Sequence, residues 1–365
     1  MSDATFADDR INWPEAVPIH AVDARPPSRR RGLRDILSWV VGLIALPLSV
    51  LPFVAYAHFD STGGLLLLRV ERYFSGPAAP HLPPAEAAAY RANALHFRDA
   101  VAVLSIPEVL DGSTHEGAMS TERFAEDMRM LEAAGYHAVM PEQVVSWLDG
   151  KTALPENALL LTFDGARADV VLNAAPVLHA VDMRATVFPI GGAYEQNPVW
   201  FASAEQLRSL ERDHGWSIGA YAGDDHPEVA IDGRRSPYLS ALQPGEGVDA
   251  FRARAREEYA AARAVADRIA ERPAVAYAWP YGAWGGDRRA NDAGVGPVNL
   301  EEVRREFRLG FTLDGQESFR LLTRDGDALQ AARLVLRPEW SPAQLLERLN
   351  MAAAASAPEL RDGPA

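Results

Sequence analysis

Between Asp99 and Leu349 the chain alternates short apolar runs with segments whose apolar positions recur every three or four residues. Runs such as Ala100 to Ile106 (AVAVLSI), Ala158 to Phe163 (ALLLTF) and Ala185 to Ile190 (ATVFPI) have the length of buried strands, and the intervening stretches have the period of helices. The pattern predicts further strands at His137–Met140, Ser217–Tyr221, Ala274–Trp279 and Leu309–Leu313. Helices are expected at Thr121–Ala134, Glu142–Leu148, after Asp169, at Ser203–Arg212, Asp249–Arg272 and Pro342–Leu349, with an inserted loop over the Gly/Pro/Ser-rich residues 231–247. Repeated strand–helix units imply a parallel sheet, and this many of them in about 250 residues predict an α/β fold closed into a barrel.

Upstream the pattern changes. Ile36 to Ala57 is a run of 22 residues without a charge. As a helix it would span about 33 Å, enough for a bilayer core. Trp39 and Tyr56 stand near its ends, where amphipathic rings favour the membrane interface. Arg25, Arg29, Arg30, Arg31 and Arg34 precede it, so the positive-inside rule predicts a single-pass cell-membrane protein with a cytoplasmic N-terminus and an extracytoplasmic main domain. Ala55-Tyr56-Ala57 also resembles a cleavage site and Ser28 to Arg34 a twin-arginine signal, which leaves export after cleavage near Ala57 as the alternative. The length of the run favours the uncleaved anchor. The expected organisation is a disordered cytoplasmic tail over 1–35, a transmembrane helix over 36–57 and a juxtamembrane stalk over 58–97. A folded domain over 98–350 and a disordered tail over 351–365 complete it.

Composition narrows the chemistry. There are no cysteines, which excludes disulfides, thiolate catalysis and thiolate metal sites. A net charge of −14 lacks the basic footprint that phosphate backbones require, so no nucleic-acid partner is expected. The candidate chemistry begins at Leu160 to Asp169 (LLTFDGARAD), where an apolar strand stops on a carboxylate and a glycine. A strand tip in an α/β fold is rigid and opens onto the end of the sheet, the usual place for a functional acid, although a helix-capping acid fits the same pattern. Asp169 itself reads as an acid in the first turn of a helix. His115, His137, His179 and His214 have no ligand-like spacing.

With "FAEDMRMLEAAGYHAVMPEQVVSWLDGKTALPENALLLTFDG", "ATVFPI" and "AWPYG" in view, the chain resembles the NodB-homology polysaccharide deacetylases, carbohydrate esterase family 4. Its nearest likeness is to the membrane-associated branch acting on poly-N-acetylglucosamine. The resemblance implies a distorted (β/α) barrel and a metal-assisted hydrolysis of an acetamide, in which a cation polarises the carbonyl and lowers the pKa of bound water. In that family a T-F-D-D-G motif supplies the base and then a metal ligand, and an H-x-x-x-H pair completes the site. Thr162 to Ala166 (TFDGA) keeps Asp164 at the base position but puts Gly165 where the ligand belongs. Tyr221 and Asp225 stand at the two histidine positions. Pro280-Tyr281-Gly282 keeps the motif whose tyrosine, here Tyr281, offers its backbone N–H to the oxyanion, while Ala278 stands where many members have an arginine that contacts the base. The closing "ARLVLRPEWSPAQLLERL" offers no histidine for the general acid.

These departures predict a metal-free site with Asp164 as a vestigial base. A rebuilt divalent site from Asp164, Asp225 and His226 is the alternative, and zinc or a similar ion would then be the cofactor. Tyr221, Trp279, Tyr281 and Trp284 are the aromatic residues that a sugar-binding cleft would use, since pyranose faces stack on rings, and core packing competes for Trp279. The expected function is a deacetylase-like pseudoenzyme that binds a surface polysaccharide of N-acetylhexosamine type. The alternatives are an active N-deacetylase with a rebuilt site, or a structural subunit beside a membrane glycosyltransferase in a polysaccharide synthase complex.

Overall fold

The computed structural model describes residues 81–356, apart from 114, 116, 193–199, 224–227, 232–233, 287–289 and 314–318. The segment 36–57 read as a membrane span lies outside the described residues, among which no helix is long and apolar enough to cross a membrane.

The elements run α1 (Pro84–Asn93), β1 (Ala100–Ile106), α2 (Thr121–Ala133), β2 (His137–Ala138), α3 (Pro141–Leu148) and β3 (Ala158–Gly165). A π-helical turn at Val170–Ala174 leads into α4 (Ala175–Ala180), followed by β4 (Thr186–Pro189), α5 (Ala204–His214) and β5 (Ser217–Ile218). A hairpin of β6 (Glu228–Ile231) and β7 (Arg234–Pro237) precedes α6 (Val248–Ile269), β8 (Ala276–Ala278), α7 (Val295–Glu306) and β9 (Leu309–Thr312). The chain closes through β10 (Leu322–Thr323), β11 (Ala331–Ala332), β12 (Leu334–Val335) and α8 (Pro342–Ser356).

The loop expected over 231–247 begins as the hairpin of β6 and β7, and both ends of the folded domain lie beyond the sequence reading. The stretch read as stalk is already helical at α1, and Ala94 and Phe97 are buried in the main core. Helix α8 runs on to Ser356 instead of ending near Leu349, because Ala352 and Ala353 continue its buried face.

The strands form the expected barrel. β1 pairs with β3, β3 with β4 and β4 with β5, all parallel. Past β5, Ala220 bridges to Tyr277 of β8 through bonds of 2.9 Å on either side, and β8 pairs with β9. The ring is closed by residues 331–335: Ala331 and Ala332 pair with β9, while Leu334 and Val335 pair with β1. Arg333 is the one residue between the two pairings, so it sits at the seam of the barrel.

Alternation along the strands sorts side chains to two faces. Ala102 and Leu104 on β1, with Leu159, Leu161 and Phe163 on β3, join the core beneath the helices, whereas Val101, Val103 and Leu160 join the cluster inside the ring. Thr162 and Asp164 follow Leu160 in phase, which directs them inward. Ala278 lies inside by the same rule, and Trp279 lies outside with Tyr277, against Phe251 and Tyr259 of α6.

A buried acid on α2 makes stability depend on pH. Burial pushes Asp127 up to about 6, against the opposing pull of its partner Arg123. A carboxyl whose folded pKa lies above its unfolded value stabilises fully below the unfolded pKa and loses that contribution as pH rises through the folded one. Stability is therefore expected to fall between about pH 4 and 6, with a contribution of about 2 to 3 kcal/mol from this group. Asp127→Asn should flatten that slope in denaturant titrations run at a series of pH values. An unchanged slope would mean that the Arg123 pair keeps the carboxylate charged.

Candidate active site

Asp164 is the next-to-last residue of β3, at the open end of the barrel, with 22% of its side chain exposed. Its carboxylate is held from inside. Arg333, fully buried, donates from Nη1 to Oδ1 at 2.6 Å and from Nη2 to Oδ2 at 2.9 Å, the bidentate fork that suits a carboxylate. The rest of the guanidinium is also satisfied, by Thr162 Oγ1 at 3.2 Å and by the Thr312 carbonyl at 3.3 Å. Thr162 in turn donates to the Leu104 carbonyl at 2.7 Å. Reading the motifs alone implied that Asp164 had lost its arginine with Ala278. The support comes instead from the seam, where Arg333 reaches the same inner face on which Ala278 leaves room.

After Asp164 the backbone turns through two consecutive left-handed residues, Gly165 at φ 85° and Ala166 at φ 51°. Glycine takes that conformation freely, while alanine there costs about 1 kcal/mol. The turn is clamped by an antiparallel contact in which Ala202 N–H donates to the Ala166 carbonyl at 2.9 Å and Ala168 N–H to the Trp200 carbonyl at 2.8 Å. Gly165 thus occupies the ligand position with no donor atom.

Tyr221, at the first histidine position, is buried on the inner face beside Asp164 and Arg333. Burial first, then the charge of Asp164, pushes its hydroxyl well above the ordinary phenol range, and a backbone hydrogen bond from Tyr281 opposes the shift. The group is a neutral phenol at physiological pH, a poor ligand for a divalent cation, and its oxygen already accepts from the Tyr281 backbone. Among the described residues no group of three acidic or histidine side chains is placed to hold a metal, and Asp225 and His226 lie outside them. The residues described at the ligand positions do not fit the metal that the fold family implies.

The four aromatic residues separate by exposure. Trp279 is in the core, donating its indole N–H to the Leu329 carbonyl at 3.0 Å, and Tyr221 is internal, so neither presents a ring to solvent. Strand parity turns Trp279 outward under α6, the core position that competed with a sugar-facing one for it, and closes Tyr221, expected to face a sugar, into the barrel. Trp284 is partly buried, its ring against Gly286 and Gly296 and its carbonyl bonded to Asn299. Tyr281 alone of the four is open, 40% exposed at φ 57° between Pro280 and Gly282. Gly282 is obligatory there, since a Cβ would lie 2.3 Å from the Leu313 nitrogen.

Asp169 is not a simple capping acid. It accepts from Val109 N–H at 2.8 Å and from Arg167 Nε at 3.3 Å, and burial raises its pKa. Glu108 holds Arg167 from the other side at 2.6 Å and His115 at 2.6 Å, so this rim cluster ties the ends of β1 and β3 together.

Residues 151–297 match the family model described as polysaccharide deacetylase. A curated relative, the Bacillus subtilis (strain 168) protein YxkH, assigned to the polysaccharide deacetylases, is 30% identical over 108 residues, which cover 30% of this chain and 37% of that protein. The chain thus spans little more than a third of that relative. A de-N-acetylase of Aggregatibacter actinomycetemcomitans superposes with a TM-score of 0.59 at 18% identity, over 68% of this chain and all of the other. The Streptococcus pyogenes deacetylase PplD gives 0.55 at 20% identity over 69% and 99% of the two chains, and IcaB from Ammonifex degensii 0.52 at 23% over 69% and 97%. The chain therefore has the NodB-type α/β deacetylase fold and resembles the polysaccharide deacetylases, as its motifs imply.

Proposed function

We propose that this is a membrane-anchored, extracytoplasmic member of the deacetylase-like proteins that has given up metal-dependent hydrolysis and binds a cell-surface polysaccharide of N-acetylhexosamine type. The observation that carries the reading is the donor set at the metal-ligand positions: Gly165 has no side chain, and Tyr221 is a buried, neutral phenol already engaged by the Tyr281 backbone. Arg333 gives Asp164 the arginine contact that the family's base has, but with no metal ligand beside it there is no bound water of lowered pKa for that base to act on. The exposed ring of Tyr281, whose backbone bonds to Tyr221, supplies a stacking face. The anchor rests on the apolar run from Ile36 to Ala57 and the arginines before it.

Metal analysis and acetate release test this directly. The purified full-length chain is expected to retain no stoichiometric divalent metal and to release no acetate from N-acetylglucosamine oligomers. Metal-dependent release that Asp164→Asn abolishes, in a variant shown to be folded, would restore the enzyme reading.

A further inference from the structure

We infer that the polymer segment held at this site carries free amines, so that the ligand is a de-N-acetylated, cationic stretch of a hexosamine polymer. This rests on the binding role proposed above and specifies its ligand.

Three observations lead to it. First, the groups that an acetamide would use are already engaged. The Tyr281 backbone N–H is taken by Tyr221, and Gly165 has no side chain to offer. An acetamide carbonyl brought here would give up its bonds to water without finding that N–H free, which disfavours it. Second, the sign of the charge favours an amine. Residues 1–80 carry eight acidic and eight basic side chains, so the whole net charge of −14 falls on residues 81–365. A domain so charged attracts a polycation at long range. Third, the local groups suit an amino sugar. The Tyr281 ring is 40% exposed, a face for a pyranose and its ammonium group, and Asp164 keeps 22% of its side chain accessible. An ionised carboxylate bonded twice still has lone pairs to accept from an ammonium. The ligand must then be supplied by a separate N-deacetylation, since the site has no means of exposing the amines itself.

The test compares binding of a glucosamine hexamer and an N-acetylglucosamine hexamer to the full-length chain at pH 6, by titration calorimetry. The amine form is expected to bind at least about ten-fold more tightly, and to lose affinity as salt rises from about 50 to 300 mM. Tyr281→Gly, which suits the left-handed φ, should weaken it about ten-fold, whereas Tyr281→Phe should not. Tyr221→Phe removes the internal acceptor and should improve binding of the acetylated hexamer. Equal or tighter binding of the acetylated hexamer to the unmodified chain would overturn the inference and leave the binding role standing. Hexalysine binding as tightly as the glucosamine hexamer, unaffected by Tyr281→Gly, would also overturn it by reducing the effect to bulk charge. Binding of neither sugar would sink both readings.

Discussion

Asp164→Ala is expected to destabilise the protein by about 3 to 5 kcal/mol, the cost of leaving a buried guanidinium without its counter-charge. Arg333 has no exposure, and its other partners are one hydroxyl and one carbonyl, neither of which carries charge. Its place at the seam, between the pairings to β9 and to β1, transmits the loss to barrel closure. Arg333→Met should cost less, because the carboxylate at the rim can hydrate where the guanidinium cannot. The double variant Asp164→Ala/Arg333→Met should be clearly more stable than the sum of the single effects predicts, the signature of a coupled pair. Equilibrium denaturation of the four proteins measures this. An Asp164→Ala protein as stable as the parent would mean that the pair does not hold the seam.

That pair also shows where the sequence was legible and where it was not. β1 coincides with the run Ala100–Ile106, and β3 extends the predicted strand by only two residues, since a continuous apolar run bounded by turn residues has few other solutions in a parallel barrel. Helix α7 escaped notice because Gly296 and Pro297 at its start look like a loop, although proline is well tolerated in a first turn. The seam escaped for a different reason. β11 and β12 are two residues each, too short to display a period, and an arginine between alanine and leucine reads as a surface charge. The available signal was the lone acid ending β3, since an inward carboxylate in a closed barrel requires a cation from some facing strand. Motif comparison looked for that cation only at position 278. Proximity to a motif misplaces Tyr221, whereas for Trp279 the parity of the strand, with Ala278 inward, already decides for the core between the two positions open to it.

Restoring the lost ligands should restore metal binding. Gly165→Asp, Tyr221→His and Asp225→His together return the motif positions to a carboxylate and two histidines, a donor set suited to zinc. Gly165→Asp has room, since a Cβ there meets nothing closer than Ile190 Cδ1 at 3.6 Å, and aspartate is among the residues that tolerate a positive φ. Tyr221→His removes a phenol that burial keeps protonated and supplies an imidazole that binds metal in its neutral form. The same change withdraws the internal acceptor from the Tyr281 backbone, opening the oxyanion position in one step. Asp164 need not leave Arg333, because the motif gives it no ligand role. Zinc affinity of the triple variant is expected to exceed that of the parent by on the order of a thousand-fold, since a single carboxylate becomes a three-ligand set. Tyr221→His alone should gain little. Metal content after dialysis and competition with a chromophoric chelator read the difference. A folded triple variant that binds zinc no better than the parent would mean that these positions do not converge on one site, and the lapsed-metal account of this barrel would fall with it.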